Sequence, residues 1–496
     1  MLYELAVATL MSLYRMFAAY LLSLFTALFT GIAMARNRTV EAVLLPILDV
    51  LQSVPILGFF PIVLVLLVDR LGPGIGGELS AIILIVTSLV WNMIFGVYAS
   101  VKSLDPSVDL MTNVYKLPFP LKLAAVYVPA SQPSIISNSI ISWAGGWFFL
   151  TSAEVISMGS QTYKLVGLGS FIFDATDRGD TRALTAGIAV LFLVIILTYI
   201  LLWNPAVVRY TGLKILPGVE SSYKAVDRAV ASAWRSMVKA MLRLRVKIPG
   251  RRAFLILFPL LPTSIWLSGV RASSYSAYLA NLTYHLYMFT ENVWMTLIRV
   301  YTTLLVSLLI SLPLSYLSVR SRRVGYVACT AGELLSSVPA VVWWPILLPI
   351  AFTYPWFVMF FVYLQGALWY VYFNVMIFGL QYMKKDVVEL AEIYGVKGSL
   401  YFKSIFLPAL LPSVLAGLLS ASGGAWNASI AAEYIAVGGL NIDMGGVGSL
   451  IDKLAAEGDS MGVLQIAIYM SLLIVLLNKL VWSRLFKRLG SRYVVE

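Results

Sequence analysis

Apolar runs long enough to cross a bilayer recur along the chain. They lie near residues 10–35, 43–68, 79–101, 128–150 and 184–203, and, after a polar basic stretch, near 253–270, 294–319, 327–352, 356–381, 407–435 and 463–483. Lipid offers no partner to unpaired backbone groups, so runs of this length predict membrane-spanning helices. The pattern predicts an all-α polytopic membrane protein with about 11 transmembrane helices. Composition agrees: of 496 residues, 60% are hydrophobic and 12% charged, with mean hydropathy +0.87. A soluble core could not hide that much apolar surface. The first run lacks a small-residue cleavage pattern and is expected to be a true first span.

The polar positions set the expected topology. Arg36 and Arg38 follow the first run, eleven Lys/Arg against two acids fill Arg209–Arg252, Arg320, Arg322 and Arg323 follow the seventh run, and Lys479, Arg484, Lys487 and Arg488 follow the last. With eleven alternating helices these all fall on one side, which the positive-inside tendency makes the cytoplasm. Asp69, Glu78, Asp174, Asp177, Asp180, Asp443, Glu457 and Asp459 fall on the other. The amino terminus is then outside and the carboxyl terminus cytoplasmic, in a multi-pass protein of the cell membrane. The net charge of +12 is explained by these loops, so no nucleic-acid partner is expected.

The chain also repeats itself. Arg15 matches Arg299, Ser53-Val54-Pro55 matches Ser337-Val338-Pro339 and Pro61 matches Pro345, all 284 residues apart. Met93–Gly96 matches Met376–Gly379 at 283, and from Pro129-Ala130 with Pro408-Ala409 onward the offset is 279, through Trp147 with Trp426, Glu154 with Glu433 and Trp203 with Trp482. Each copy carries five matching spans, and the extra run near 253–270 restores the orientation of the second, which makes the repeat parallel. The expected organisation is repeat 1 over 1–205, a basic amphipathic linker over 206–252 lying on the inner leaflet of the lipid bilayer, and an extra helix plus repeat 2 over 253–496. Ser53–Pro55 and Ser337–Pro339 are expected to kink repeated helices.

One polar stretch interrupts the apolar pattern of the second copy, Glu389–Pro408 (ELAEIYGVKGSLYFKSIFLP). Good helix formers precede Gly395, so a short surface helix, a turn, and a second helix starting near Tyr401 are expected. Glu389, Ala391, Gly395, Ile405, Leu407 and Pro408 together resemble the cytoplasmic coupling loop (the EAA loop) of permease subunits of binding-protein-dependent ATP-binding-cassette importers. Leu390 stands where that family usually has Ala. The whole chain is similar to two such permeases fused, two parallel repeats of the type I importer kind. Its second copy, with Ala431–Ile435 and the Gly-rich loop Gly438–Gly448, resembles the nitrate, sulfonate and taurine group, an anion-type branch. The resemblance implies alternating access for a small solute, two cytoplasmic ATPase subunits seated on the coupling loops (386–408 in repeat 2), an extracytoplasmic solute-binding protein, and one copy of this fused chain per complex.

In the first copy the corresponding loop, about 105–129, keeps Tyr115 and Pro129 but has Thr112 for the alanine and Lys116 for the glycine, with Leu110 at the glutamate position. It reads as a degenerate coupling loop, which either docks and transmits less or merely fills the groove. Arg15, Glu154, Arg299 and Glu433 lie within spans, where ionisable groups need partners. An intramembrane Arg–Glu ion pair in each copy is expected, with arginines turned to the outer pathway as the other reading. Trp147, Trp426 and Asn427, beside Gly145-Gly146 and Gly423-Gly424, are candidates for a gate in the pathway or for packing at the two-fold interface.

No Gly-x4-Gly-Lys-Ser/Thr occurs, so the ATP chemistry is expected on another chain. The single Cys329, in an apolar run, and the single His285, alone in a polar loop, support no metal, cofactor or catalytic set. The alternative to an importer is an ion-gradient-driven secondary transporter with internal repeats.

Overall fold

The computed structural model describes residues 1–53, 56–158, 161–203, 275–337, 349–378, 385–437 and 440–482, with Ser232, Trp343, Leu347, Arg484 and Leu485. The linker 206–252, the extra run 253–270, Val54-Pro55, Val338-Pro339 and Lys384 lie outside them, apart from Ser232.

The first copy runs α1 (Leu2–Arg36), α2 (Arg38–Ser53), α3 (Ile56–Lys102), α4 (Pro106–Val114), α5 (Phe119–Lys122), α6 (Val128–Glu154), β1 (Val155–Met158), β2 (Gln161–Lys164), α7 (Leu168–Asp177) and α8 (Thr181–Thr198). The second runs α9 (Tyr275–Arg320), α10 (Arg322–Ser337), α11 (Pro355–Phe373), α12 (Lys385–Ile393), α13 (Gly398–Tyr401), α14 (Leu407–Glu433), β3 (Tyr434–Val437), β4 (Leu440–Asp443), α15 (Val447–Ala456) and α16 (Ser460–Leu477). From α4 onward every boundary in copy 1 recurs in copy 2 at the same offset: Pro106 becomes Lys385, Glu154 becomes Glu433. Even the π-helical turns match, Leu123–Tyr127 with Phe402–Phe406 and Tyr199–Trp203 with Asn478–Trp482. The repeat is therefore one of backbone geometry as well as of residues.

Among the described residues, seven helices are long and apolar enough to cross a membrane: Leu2–Arg36, Leu66–Lys102, Thr181–Trp203, Asn281–Arg320, Pro355–Met376, Gly398–Ala432 and Met461–Trp482. Within the expected span 43–68 the described residues are helical, α2 to Ser53 and α3 from Ile56. Within α3, Gly72 is left-handed at φ 79° and separates the start of that helix from the long span that follows. His285, expected in a polar loop, is buried on α9. Its Nδ1 lies 2.6 Å from Gln465 Oε1, and its Nε2 3.3 Å from Asp459.

The all-α expectation missed two antiparallel hairpins, β1–β2 and β3–β4, in register Val155 with Lys164 and Tyr434 with Asp443. Each follows the long helix of its repeat at the end away from α4 or α12. A 27-residue helix such as α6 or α14 spans about 40 Å at 1.5 Å per residue. Hairpins and polar loops therefore occupy opposite ends of the molecule.

The two copies pack reciprocally. Helix α2 of copy 1 meets α16 of copy 2, and its counterpart α10 meets α8, the counterpart of α16. Helix α3 further contacts α14 and α16, and α10 contacts α6. Such exchange of equivalent surfaces is the signature of two-fold symmetry, here internal to one chain.

Candidate functional site

Three places gather the residues singled out by the sequence. At the polar end, α12 stops at Ile393, and the turn is closed by Tyr394 N donating to Leu390 O (2.9 Å) and Val396 N to Ala391 O (2.8 Å). Gly395 sits at φ 67°, which glycine adopts without steric cost. The next helix begins at Gly398, three residues before the expected Tyr401; Lys397 before it is extended and Gly398 itself takes φ 61°. Ala391 is buried against Tyr401, Phe406 and Val375. Glu389, Leu390, Ile393 and Tyr394 are exposed, Ile393 and Tyr394 by 78% each. Ile405, Leu407 and Pro408 are half-buried where the helix enters the bundle.

The first copy's loop, divergent in sequence, closes with the same turn, though Phe119 lacks the positive φ of its counterpart Gly398. Tyr115 N donates to Met111 O (3.0 Å) and Leu117 N to Thr112 O (3.1 Å). Thr112 is buried as Ala391 is, and Lys116 takes φ 45° where the glycine stood. It is the only non-glycine residue with positive φ among the described residues. Met111, Val114 and Tyr115 are exposed at the positions of Leu390, Ile393 and Tyr394. Pro118 caps α5 in an extended conformation, which its ring favours, and Pro129 is exposed at the start of α6. Asp105 caps α4 through Ser107 N (2.8 Å), a bond that holds its carboxyl below the usual range. Both loops thus present an apolar ridge of three side chains at the molecular surface.

At the opposite end each copy buries one carboxylate at the close of its long helix. Glu154 accepts from Ser12 Oγ (2.5 Å), Arg15 Nη1 (2.9 Å) and Gly169 N (2.6 Å). Glu433 accepts from Thr296 Oγ1 (2.9 Å), Arg299 Nη1 (2.8 Å), Tyr363 Oη (2.7 Å) and Gly448 N (2.8 Å). The hydroxyls of Ser12 and Thr296 in turn accept from Leu168 N and Val447 N, tying the following helix to the first. A Cβ at Gly169 would fall 2.6 Å from Thr151 O, and one at Gly448 would overlap Ser429 O, so glycine alone lets that helix approach. The copies differ in one partner. Arg15 also makes a two-pronged bond to Glu78 (2.5 and 2.7 Å), whereas Arg299 turns to the carbonyls of Met444 and Gly445. Neither arginine lines the cavity between the copies. Ser12, Thr296 and Tyr363 were not picked out by sequence, and Glu78 was read only as an acid of the outer side, since nothing local in a helix marks a residue whose partner is more than sixty positions away.

Between the copies lies a cavity of about 170 Å³. Thr87, Ser88, Trp91, Asn92, Gly145 and Phe148 form one side; Gly366, Trp369, Tyr370, Gly423, Gly424 and Asn427 form the other. Phe148 and Asn427 are repeat counterparts, as are Gly145 and Gly424, so the cavity straddles the internal two-fold. No charged side chain lines it among the described residues. Asn427 faces it, with Nδ2 donating to Gly423 O (3.0 Å). Trp147 and Trp426 do not. They are fully buried one position earlier on α6 and α14, in the core of their own repeats. One residue is about 100° of helix, enough to turn a side chain from cavity to core.

Two copies of one helical unit, facing each other across a shared cavity and each carrying an exposed ridge at the same end, define a duplicated, multi-pass membrane protein of the permease class. The chain belongs to the family described as binding-protein-dependent transport system inner membrane component, whose model matches residues 23–204 and again residues 307–482. It is similar to a nitrate import permease protein of Leptolyngbya laminosa, 32% identical over 34% of this chain and 56% of that protein. It is also similar to a bicarbonate transport system permease protein of Synechocystis (27% identical; 34% and 55%) and a taurine transport system permease protein of Escherichia coli (28%; 37% and 62%). The chain spans a little over half the length of these curated relatives.

Proposed function

We propose that this chain is the membrane subunit of an ATP-binding-cassette importer and supplies both halves of one translocation path. The observation that carries the reading is the pair of loops closed by matching turn hydrogen bonds, each joined through its long helix to the wall of one shared cavity. Two cytoplasmic ATPase subunits seat on the ridges Met111/Val114/Tyr115 and Leu390/Ile393/Tyr394, and their closure is relayed through α6 and α14. Glu389, Ala391, Gly395, Ile405, Leu407 and Pro408 shape the second loop, and Thr112, Tyr115, Lys116 and Pro129 the first. In this reading the first loop is degenerate in sequence but competent to dock.

The basic residues at the helix ends support a topology with both loops in the cytoplasm, the amino terminus outside and the carboxyl terminus inside. A soluble binding protein delivers solute from outside, and one copy of the chain serves each complex because both halves are fused. Repeat 1 is 1–205, the linker 206–252 and repeat 2 253–496. The Arg15–Glu154 and Arg299–Glu433 pairs fasten the outer ends of the helices, and Asn427, with Asn92, contacts the solute. Trp147 and Trp426 support that wall from behind. Relatives named for nitrate, bicarbonate and taurine support a small anion as cargo. A cavity lined by amides, hydroxyls and ring edges can hold one without trapping it.

The test is co-purification in mild detergent from cells carrying the whole transport system. A cytoplasmic ATPase should accompany the unmodified chain and be lost when both Val114→Asp and Ile393→Asp are present. Each single substitution should reduce recovery. Uptake that persists in the double variant and follows the proton or sodium gradient would instead identify a secondary transporter.

A further inference from the structure

The outer rims of the two repeats share one backbone but carry opposite charges at three matched positions. In copy 1, Lys164 on β2 pairs with Asp174 on α7 at 2.5 Å. In copy 2 the same two positions hold Asp443 on β4 and Lys453 on α15, again paired. The inversion extends to the turn that follows. Arg178, 76% exposed, corresponds to Glu457, also exposed. The turns are otherwise superposable: Arg178 N donates to Asp174 O (3.1 Å) and Glu457 N to Lys453 O (2.9 Å), and Gly179 and Gly458 have φ of 66° and 78°. Exposed Arg182 of copy 1 meets its counterpart in exposed Met461. The inversion is not complete: Asp177 of copy 1 stands opposite Ala456, and the helix-capping Asp180 and Asp459 are acidic in both copies.

A partner docking on a symmetric rim could sit in either of two orientations related by the internal two-fold. Resting on the importer reading above, we infer that this inverted charge pattern fixes a single orientation for the extracytoplasmic solute-binding protein. Its acidic face meets Arg178 and Arg182 of repeat 1, and its basic face meets Glu457 of repeat 2. Complementary rim charges steer encounter and select register more than they add affinity. Like-charge juxtaposition in the reversed pose disfavours it. Lys164 with Asp174 and Asp443 with Lys453 are paired inside each copy, and Arg178 reaches Asp174 only at 3.9 Å, so the largely solvent-facing Arg178 and Glu457 carry the discrimination.

The experiment places the photo-crosslinker p-benzoylphenylalanine at position 177 or 456 of the full chain, in cells carrying the whole transport system, and identifies crosslinked peptides by mass spectrometry. Position 177 should capture one lobe of the soluble binding protein and position 456 the other. The reversed variant, Arg178→Glu with Glu457→Arg, should lose or exchange that assignment, and either single reversal should lower crosslink yield roughly tenfold at low salt. The effect should fade at about 0.5 M salt, where the screening length is a few Å. Both lobes captured equally at each position, or an assignment unchanged in the reversed variant, would overturn the inference while leaving the importer reading intact. No solute-binding protein at either position would overturn the importer reading itself.

Discussion

Replacing Glu433 by Gln should cost markedly more than the same change at Glu154, although the two residues are repeat counterparts. Both carboxylates are fully buried, and in both the amide can accept through one oxygen only, leaving donors that faced the carboxylate unmatched. That shared loss is worth about 1–3 kcal/mol. The difference lies in the arginine. With Glu154 neutral, Arg15 keeps its two-pronged bond to Glu78 at 2.5 and 2.7 Å. With Glu433 neutral, Arg299 keeps only the carbonyls of Met444 and Gly445 and loses the one carboxylate bonded to it. Removing one partner of a buried pair costs about 3–5 kcal/mol. Arg299 is 17% exposed, which places its cost near the lower end of that range.

Glu433→Gln should therefore destabilise by about 4–6 kcal/mol, the shared loss plus the stranded arginine, and Glu154→Gln by about 1–3 kcal/mol. Glu78→Gln combined with Glu154→Gln should exceed the sum of the single changes, by about 0.5–3 kcal/mol, because only then is Arg15 stripped of both carboxylates. The assay is unfolding of the purified chain by SDS in mixed micelles, followed by tryptophan fluorescence. Equal costs for Glu154→Gln and Glu433→Gln, or additivity of the pair at 78 and 154, would refute the claim that Glu78 compensates.

Lys116→Gly should stabilise the first loop by about 0.5–1 kcal/mol, since a left-handed non-glycine residue costs about 1–2 kcal/mol and glycine returns part of that in entropy; slower local hydrogen exchange across residues 112–117 reports it. Gly448→Ala should cost about 2 kcal/mol or more by forcing α15 off the backbone of Ser429, and an unchanged unfolding midpoint would contradict the close approach. Asp443 is pulled down from 3.8 to about 2: burial pushes it up, but the bonds from Lys453, Ser449 and Gly445 outweigh that. A carboxyl depressed on folding adds stability above its ordinary value and loses it as pH falls through the folded one. The β3–β4 hairpin should thus loosen between about pH 4 and pH 2, and Lys453→Met should move that loosening to higher pH, read by protease sensitivity of the hairpin.

Much of the architecture was legible in the residues alone. Spanning helices follow from uninterrupted apolar runs, because the bilayer leaves the backbone no other way to pair its groups. The duplication and the turn at Gly395 are equally written in sequence, being matters of spacing and of one residue's backbone freedom. What depended on distant residues was not. Glu78 joins Arg15 across 63 positions and Tyr363 joins Glu433 across 70, and no local pattern announces either. The two hairpins were missed because four-residue strands beside long helices leave too short an alternation to read. Trp147 and Trp426, candidates for a gate or for packing, lie in the cores of their own repeats, because a single helical step decides which of two adjacent side chains meets the cavity. Lys116 marks the deepest divide. By sequence the first loop had lost its defining glycine, yet the surrounding chain holds the lysine in the glycine's conformation. Tertiary packing, which outweighs the roughly 1 kcal/mol local preference against that conformation, decided the shape.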